Sequence, residues 1–230
     1  MPLGAPARIV DLGCGPGNST ALIASRYANA NVLGVDSDDA MLAQAHAANV
    51  NARFEVGDFE TWAPRDAPDL IYSNAALHWA ADPLAVATRL FQALAPGGVL
   101  ALQVPLNFDK PSHVEMRAAA QDGPWSAKLA GIFQPLLLSG EDYARALAPL
   151  GAKLDVWSTA YLHVLECADP VLKWISGSAL RPYFARLNAE ERASCEASLA
   201  VRLRRAYPPE NDGRTHFPFH RLFVVAVQSK

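Results

Sequence analysis

The sequence predicts an α/β protein built on a doubly wound, Rossmann-like parallel sheet with helices on both faces. Two observations carry that prediction. Strand-like apolar runs at residues 9–10, 31–35, 53–56, 69–73 and 99–104 alternate with helix-patterned segments. The first run also feeds a glycine turn, Asp11-Leu-Gly-Cys-Gly-Pro-Gly17, and Asp36 follows at a strand end nineteen residues beyond the last of those glycines.

The turn sets the chemistry. Gly13, Gly15 and Gly17 allow a sharp bend in which a ligand lies against bare backbone. A helix pattern with Ile23 and Tyr27 on one face follows, and the next strand ends in Asp36-Ser37, where an acid can accept from both hydroxyls of a ribose. A dinucleotide fingerprint requires Gly-x-Gly-x-x-Gly, but Asn18 stands at its third glycine, so pyrophosphate binding is disfavoured. Asp11 at the turn entry repels phosphate and suits an ammonium or sulfonium group. S-adenosylmethionine is the cofactor this combination indicates, with Cys14 and Asn18 among the turn residues against it. The plainer alternative is a turn that only packs helix on strand, and the second acid at Asp36 argues against it.

The remaining elements follow in order. Residues 1–7, with two prolines and a glycine, are too short to fold alone. Asp38 and Asp39 are placed to cap a helix that carries Met41 and Ala45 inward. After the third strand, Asp58 can accept from an adenine amine while Phe59 or Trp62 packs on the ring, or it can cap a turn. The fourth strand runs into Asn74-Ala-Ala-Leu-His78-Trp79, a polar and aromatic cluster at a carboxyl end, where open α/β sheets gather their chemistry. Leu84, Ala87, Phe91 and Leu94 mark an amphipathic helix stopped by Pro96-Gly97-Gly98.

Beyond Pro105 the rhythm breaks. Prolines at 111, 124 and 135 predict short helices and loops over the ligand-binding edge. Ser139 with Asp142 and Asn188 with Glu191 have capping-box spacing, Asp169 opens another helix, and residues 154–164 and 221–227 read as further strands. Cys195, Leu199 and Leu203 face inward, with Arg202, Arg204 and Arg205 solvated. The expected organisation is one domain over residues 1–230, with helical lid or substrate elements inserted at 106–150 and 168–208.

Composition narrows the function. A formal charge of -3 supplies no field for nucleic acid, and no apolar run reaches the length of a membrane span. The N-terminus lacks signal-peptide grammar, so a cytoplasmic location is expected. Cys14, Cys167 and Cys195 have neither disulfide nor zinc spacing, and no metal site is expected.

Several segments then carry a narrower likeness: residues 11–20, Gly34-Val-Asp-Ser37, residues 74–79, Leu180-Arg-Pro-Tyr183 and Arg221-Leu-Phe-Val-Val-Ala226. Together they resemble the trans-aconitate 2-methyltransferase family of class I S-adenosylmethionine-dependent methyltransferases, over essentially the whole chain. The resemblance implies a seven-stranded sheet with its last strand antiparallel, and methyl-ester formation on a carboxylate of a small polycarboxylic acid, with S-adenosylhomocysteine as the other product. Two departures stand out. The family carries a longer segment before the turn, including a helix that closes over the cofactor, whereas ten residues precede Asp11 here, so weaker cofactor binding is expected. The family's acid after the fifth strand is replaced by Leu106 in Gln103-Val-Pro-Leu-Asn107.

A carboxylate acceptor is already ionised at neutral pH, so alignment and desolvation suffice and no catalytic base is nominated. Arg181 is the expected clamp for a non-reacting carboxylate, with Arg221 as a second and Trp174 and Tyr183 as walls. His78, Trp79 and His163 lie near strand ends within reach of a substrate oxygen. The competing readings are a carboxyl methyltransferase on a carrier-protein-bound acyl group, another small-molecule methyltransferase, and a cofactor-binding remnant without turnover. A small carboxylic acid is the expected partner, without nucleic acid or membrane, and a monomer is compatible with the sequence.

Overall fold

The computed structural model describes residues 4–229, so residues 1–3 of the N-terminal stretch and residue 230 lie outside the described residues. Strands Arg8–Leu12 (β1), Asn31–Asp36 (β2), Arg53–Val56 (β3), Leu70–Asn74 (β4), Val99–Pro105 (β5), Lys153–Leu165 (β6) and Thr215–Val227 (β7) form one sheet in the order β3-β2-β1-β4-β5-β7-β6. The first five pair in parallel. Against β5 the partner numbers fall as its own rise: Gln228 N donates to Gly98 O at 2.9 Å, and Leu106 N to His220 O at 2.9 Å. The last strand is therefore antiparallel. The order reverses between β1 and β4, which puts the switch point of the sheet beside the glycine turn.

The helices are Asn18–Arg26 (α1), Asp39–Ala47 (α2), Pro83–Gln92 (α3), Pro111–Gln121 (α4), Ser126–Leu129 (α5), Gly140–Leu147 (α6), Pro170–Ser176 (α7), Arg181–Phe184 (α8) and Ala189–Ala206 (α9). The chain divides into two compact units, the first made of the residues up to Pro105, Leu138–Ser158 and those from Leu222 on, the second of Leu106–Leu137 and Thr159–Arg221. Of the segments expected as insertions, 138–150 thus falls in the first unit, and the second also takes in 159–167 and 209–221.

In the first unit Ile9, Val32, Leu70 and Val99, from neighbouring strands, pack with Ala24 of α1 in one apolar cluster. Burying each aliphatic side chain of this size stabilises the fold by about 1.5–3 kcal/mol. The Asp82 side chain accepts from Leu84 N and Ala85 N to start α3, whose Val86, Ala87, Leu90 and Phe91 are buried. Asp38 caps α2 as expected, but the phase of that helix buries Leu42 and Ala45, with Met41 only half-buried. Ser139 and Asp142 form the expected capping box of α6.

The second unit has its own core, in which Met116 of α4, Ile175 of α7, Leu199 and Leu203 of α9 and Phe217 of β7 are buried together. Asn188 and Glu191 close the capping box of α9. Of the arginines expected to be solvated, Arg204 and Arg205 are exposed and Arg202 is half-buried; Arg202 pairs with Glu115 and Asp122, and Arg204 with both carboxylate oxygens of Asp169 at 2.6 Å. That pairing also changes the start of α7, where Asp169 sits at φ 51° and gives its side chain to Arg204 rather than to the helix amides. Strand β7 begins six residues before Arg221, at Thr215. Pro218 hides this extension in the sequence, yet it lies beyond the Leu106–His220 bond, where a missing N–H costs little.

Candidate active site

The turn after β1 is held by backbone geometry that only glycine adopts without strain. Gly13, Gly15 and Gly17 have φ of 73°, 54° and 86°. Gly13 N and Cys14 N both donate to Val35 O, at 2.7 and 3.0 Å, which ties the turn to β2. A Cβ on Gly13 would lie 2.2 Å from that of Ala76, whereas one on Gly15 would meet nothing within 4 Å. The turn is thus packed behind Gly13 and open in front of Gly15.

Two carboxylates flank it. Asp36, at the tip of β2, accepts from Gly15 N at 2.7 Å and from Asp38 N at 3.0 Å, one bond on each oxygen, and each oxygen keeps a further lone pair. Asp11 is fully buried. Its Oδ2 accepts from Ser19 and Thr20 hydroxyls at 2.8 and 2.6 Å, while Oδ1 is buried without a hydrogen-bond partner. Burial raises the Asp11 pKa, the two hydroxyls oppose that shift, and the Asp36 charge adds to it. The same causes push the Cys14 thiol up to about 12: burial first, then the charges of Asp11 and Asp36. Asn18 is exposed at the first position of α1, and Ser37 is exposed after Asp36.

At the tip of β3, Asp58 Oδ1 accepts from Glu60 N at 2.9 Å, the turn-capping arrangement. Phe59 is half-buried, and Arg89 of α3 pins this loop by donating to the carbonyls of Phe59, Glu60 and Trp62. Beyond β4, Asn74 is exposed and Ala75 turns the chain at φ 55°, a left-handed conformation rare for alanine. The 3-10 turn Leu77–Trp79 follows, with His78 buried and its ring 5.0 Å from that of Trp79. Ser73 Oγ donates to Leu12 O at 2.7 Å and joins β4 to the entry of the glycine turn. Sequence reasoning missed Ser19, Thr20, Ser73 and Arg89. The first two stand directly after the last glycine of the turn, and that adjacency was the one available signal.

In the second unit, Trp174 and Arg221 belong to one aromatic cluster. The Trp174 ring lies 4.4 Å from His163 and 6.1 Å from Phe219, and the Arg221 guanidinium sits 4.8 Å from the Phe219 ring centre and 5.9 Å from that of Tyr161. His163 Nε2 is buried without a hydrogen-bond partner, and burial together with the Arg221 charge lowers the pKa of its ring. On α8 the Leu-Arg-Pro-Tyr segment splits: Arg181 is exposed, while Tyr183 is 4% exposed and its hydroxyl accepts from Gln134 Nε2 at 2.8 Å. Burial raises the Tyr183 pKa, and the Gln134 bond and the Arg117 charge pull it back. Among the described residues no cluster of His, Cys, Asp and Glu could hold a metal ion, and no helix is long and apolar enough to cross a membrane.

Residues 9–98, which carry the turn and both flanking acids, match the family described as a methyltransferase domain. The trans-aconitate 2-methyltransferase of Variovorax paradoxus is 48% identical over 229 residues, 98% of this chain and 88% of that protein. That of Methylobacterium radiotolerans is 46% identical over 231 residues, again 98% of this chain and 88% of that protein. Among solved structures the YcgJ protein of Bacillus subtilis superposes with a TM-score of 0.64 at 18% identity, over 100% of this chain and 94% of that one, a likeness of fold.

Proposed function

We infer the reaction from one premise: this chain belongs to the trans-aconitate 2-methyltransferase family, whose members are S-adenosylmethionine-dependent methyltransferases. The activity is O-methylation of a carboxylate of a small polycarboxylic acid such as trans-aconitate, with S-adenosylhomocysteine as the second product. The observation that carries the reading is the charge of the cradle. Asp11, with an unpartnered buried oxygen, and Asp36 flank a turn whose open side is at Gly15, and residues 11–20 contain no Lys or Arg. Such a cradle fits an adenosine with a positive sulfur and opposes a pyrophosphate.

When bound, S-adenosylmethionine supplies an electrophilic methyl group. We assign Gly13, Cys14, Gly15, Gly17 and Asn18 to its methionine side and Asp36 with Ser37 to the ribose. Asp58 and Phe59 take the adenine, and Asn74 takes the amino-acid end. Asp11 opposes the cofactor's positive charge. Its Oδ2 bonds to Ser19 and Thr20 hold the carboxylate in that role without a neutralising cation. The acceptor carboxylate is ionised at neutral pH, so the chain contributes orientation and desolvation and no proton-transfer residue. We assign acceptor binding to His78, Trp79, Trp174, Arg181, Tyr183 and Arg221. Arg181 is an exposed guanidinium with no ion pair among the described residues, suited to a bidentate grip.

A carrier-protein acceptor loses the feature that favoured it, because Arg202 and Arg204 are engaged by acids of their own unit. The proposed setting is the cytoplasm, where three free thiols persist, and the proposed working form is a monomer. The test incubates the chain with S-adenosylmethionine and trans-aconitate, citrate, malonate or an acyl carrier protein, and identifies the ester by mass spectrometry. A methyl ester of a free polyacid is expected. Cofactor binding with no ester from any polyacid overturns the reading.

A further inference from the structure

Within the second unit a cavity of about 320 Å3 is lined by Arg117 and Ala120 of α4, by Leu129, Ile132 and Gln134, and by Tyr183 of α8. Its volume is at the lower end of the ~300–1,000 Å3 typical of small-ligand pockets, and its lining sets polar groups, with Gln121 and Ser126 among them, beside alanine, leucine and isoleucine. Three of those polar groups are organised. Gln134 Nε2 also donates to Ile132 O at 3.1 Å, so both protons of its amide nitrogen are engaged as it donates to the Tyr183 hydroxyl. A phenol that already accepts a hydrogen bond keeps its own proton to donate. Arg117 Nη1 is anchored to Phe108 O at 2.9 Å. No ion pair among the described residues involves Arg117, although its neighbour on the same helix, Glu115, pairs with Arg202.

A half-buried guanidinium without a counter-ion is costly unless an anion comes to it. An ionised carboxylate matches the fork of Arg117 and accepts from Tyr183, and the alanine, leucine and isoleucine walls suit its carbon chain.

We propose that this cavity binds an ionised carboxylate of a small polyacid, with Arg117 as its charged partner, Tyr183 as its neutral donor and Gln134 positioning Tyr183. The proposal rests on the polyacid reading above and adds Arg117, which neither the sequence motifs nor the family likeness singled out.

The test is calorimetric titration of trans-aconitate into the full chain saturated with S-adenosylhomocysteine. Arg117→Gln is expected to weaken tri-acid binding about ten- to a hundred-fold, the loss of one charge-assisted contact, and Tyr183→Phe about three- to ten-fold. Arg117→Lys, which keeps charge but loses the fork, is expected to fall between wild type and Arg117→Gln. S-adenosylhomocysteine affinity and melting temperature stay at wild-type values, and Arg205→Ala, an exposed arginine on α9, leaves tri-acid binding unchanged. Should Arg117→Gln fail to fold, Arg117→Lys and Tyr183→Phe carry the same comparison. If the wild type esterifies the tri-acid and the Arg117 and Tyr183 variants bind it equally well, the subsite is overturned and the reaction stands. If the wild type binds cofactor but neither binds nor esterifies any polyacid, both are overturned.

Discussion

In the first unit the carboxylates of Asp11 and Asp36 accept from two backbone amides and two hydroxyls, all neutral donors, with Asp11 Oδ1 left unpartnered. In the second, Arg202 and Arg204 are satisfied by the carboxylates of Glu115, Asp122 and Asp169. Neutral donors leave the negative charge of the first site intact, available to a cationic ligand, while ion pairs cancel charge and leave only a cation such as Arg117 to attract an anion. The two arrangements also fail differently. The first depends on glycine dihedral angles and leaves no room for a Cβ at Gly13, whereas the second is built from side chains whose loss is graded.

The largest effect expected from this contrast is at Gly13. Gly13→Ala puts a Cβ 2.2 Å from that of Ala76 on a backbone at φ 73°. A loss of about 3 kcal/mol or more in urea unfolding is expected, with no measurable S-adenosylmethionine binding by calorimetry. A variant within about 0.5 kcal/mol of wild type would break the claim that backbone geometry governs this unit.

The next concerns His113 in the second unit, 6% exposed, with Ser112 Oγ 3.2 Å from its Nδ1, Phe108 edge-on to its ring, and the charges of Arg117 and Asp109 nearby. Burial and then Arg117 lower its pKa from 6.5 to about 4, against the opposing pull of Asp109. The folded state therefore binds this proton less readily than the unfolded chain. The associated stability is complete above pH 6.5 and is lost as pH falls toward 4, by about 3 kcal/mol. Unfolding free energies measured at intervals across that range should trace this slope, and His113→Asn should flatten it. An unchanged slope in the variant would assign the acid sensitivity elsewhere.

The smallest effect on stability is expected at Asp11. Asp11→Asn retains an oxygen to accept from Ser19 and Thr20 and removes a buried charge, so stability at pH 7 shifts by less than about 1 kcal/mol. S-adenosylmethionine affinity falls about ten-fold through loss of the opposing charge. Because the folded pKa of Asp11 is raised, its contribution to stability is full below its ordinary value of 3.8 and is lost as pH rises through the folded value. The asparagine variant lacks that dependence. Equal affinities in calorimetry would remove Asp11 from the cofactor's electrostatics and sharpen the assignment to Asp36 alone.

How much of this was legible depended on whether the cause was local. Parallel strands buried on both faces leave continuous apolar runs, as in 99–104, and capping boxes sit at fixed offsets, so Ser139–Asp142 and Asn188–Glu191 were readable. On α2 Ala45 is buried as expected but Leu42 takes the place expected of Met41, since both are apolar and only packing chooses between them. The opening of β7 was hidden by Pro218, whose disqualification depends on where the neighbouring strand ends. Partners distant in sequence, such as Asp169 with Arg204 or Gln134 with Tyr183, have no period and no motif. The same holds for the candidate sites: the glycine turn and its acids were legible, whereas Arg117 gains its meaning only from a cavity.

Cys14 stands in a glycine turn assigned to an alkylating cofactor, and sulfur in its anionic form is among the strongest nucleophiles a protein offers. With its ionisation pushed to about 12, only about one such sulfur in a hundred thousand is anionic at neutral pH. Burial, reinforced by the two acids that suit the site to a sulfonium, therefore also shields this sulfur from methylation by the cofactor beside it.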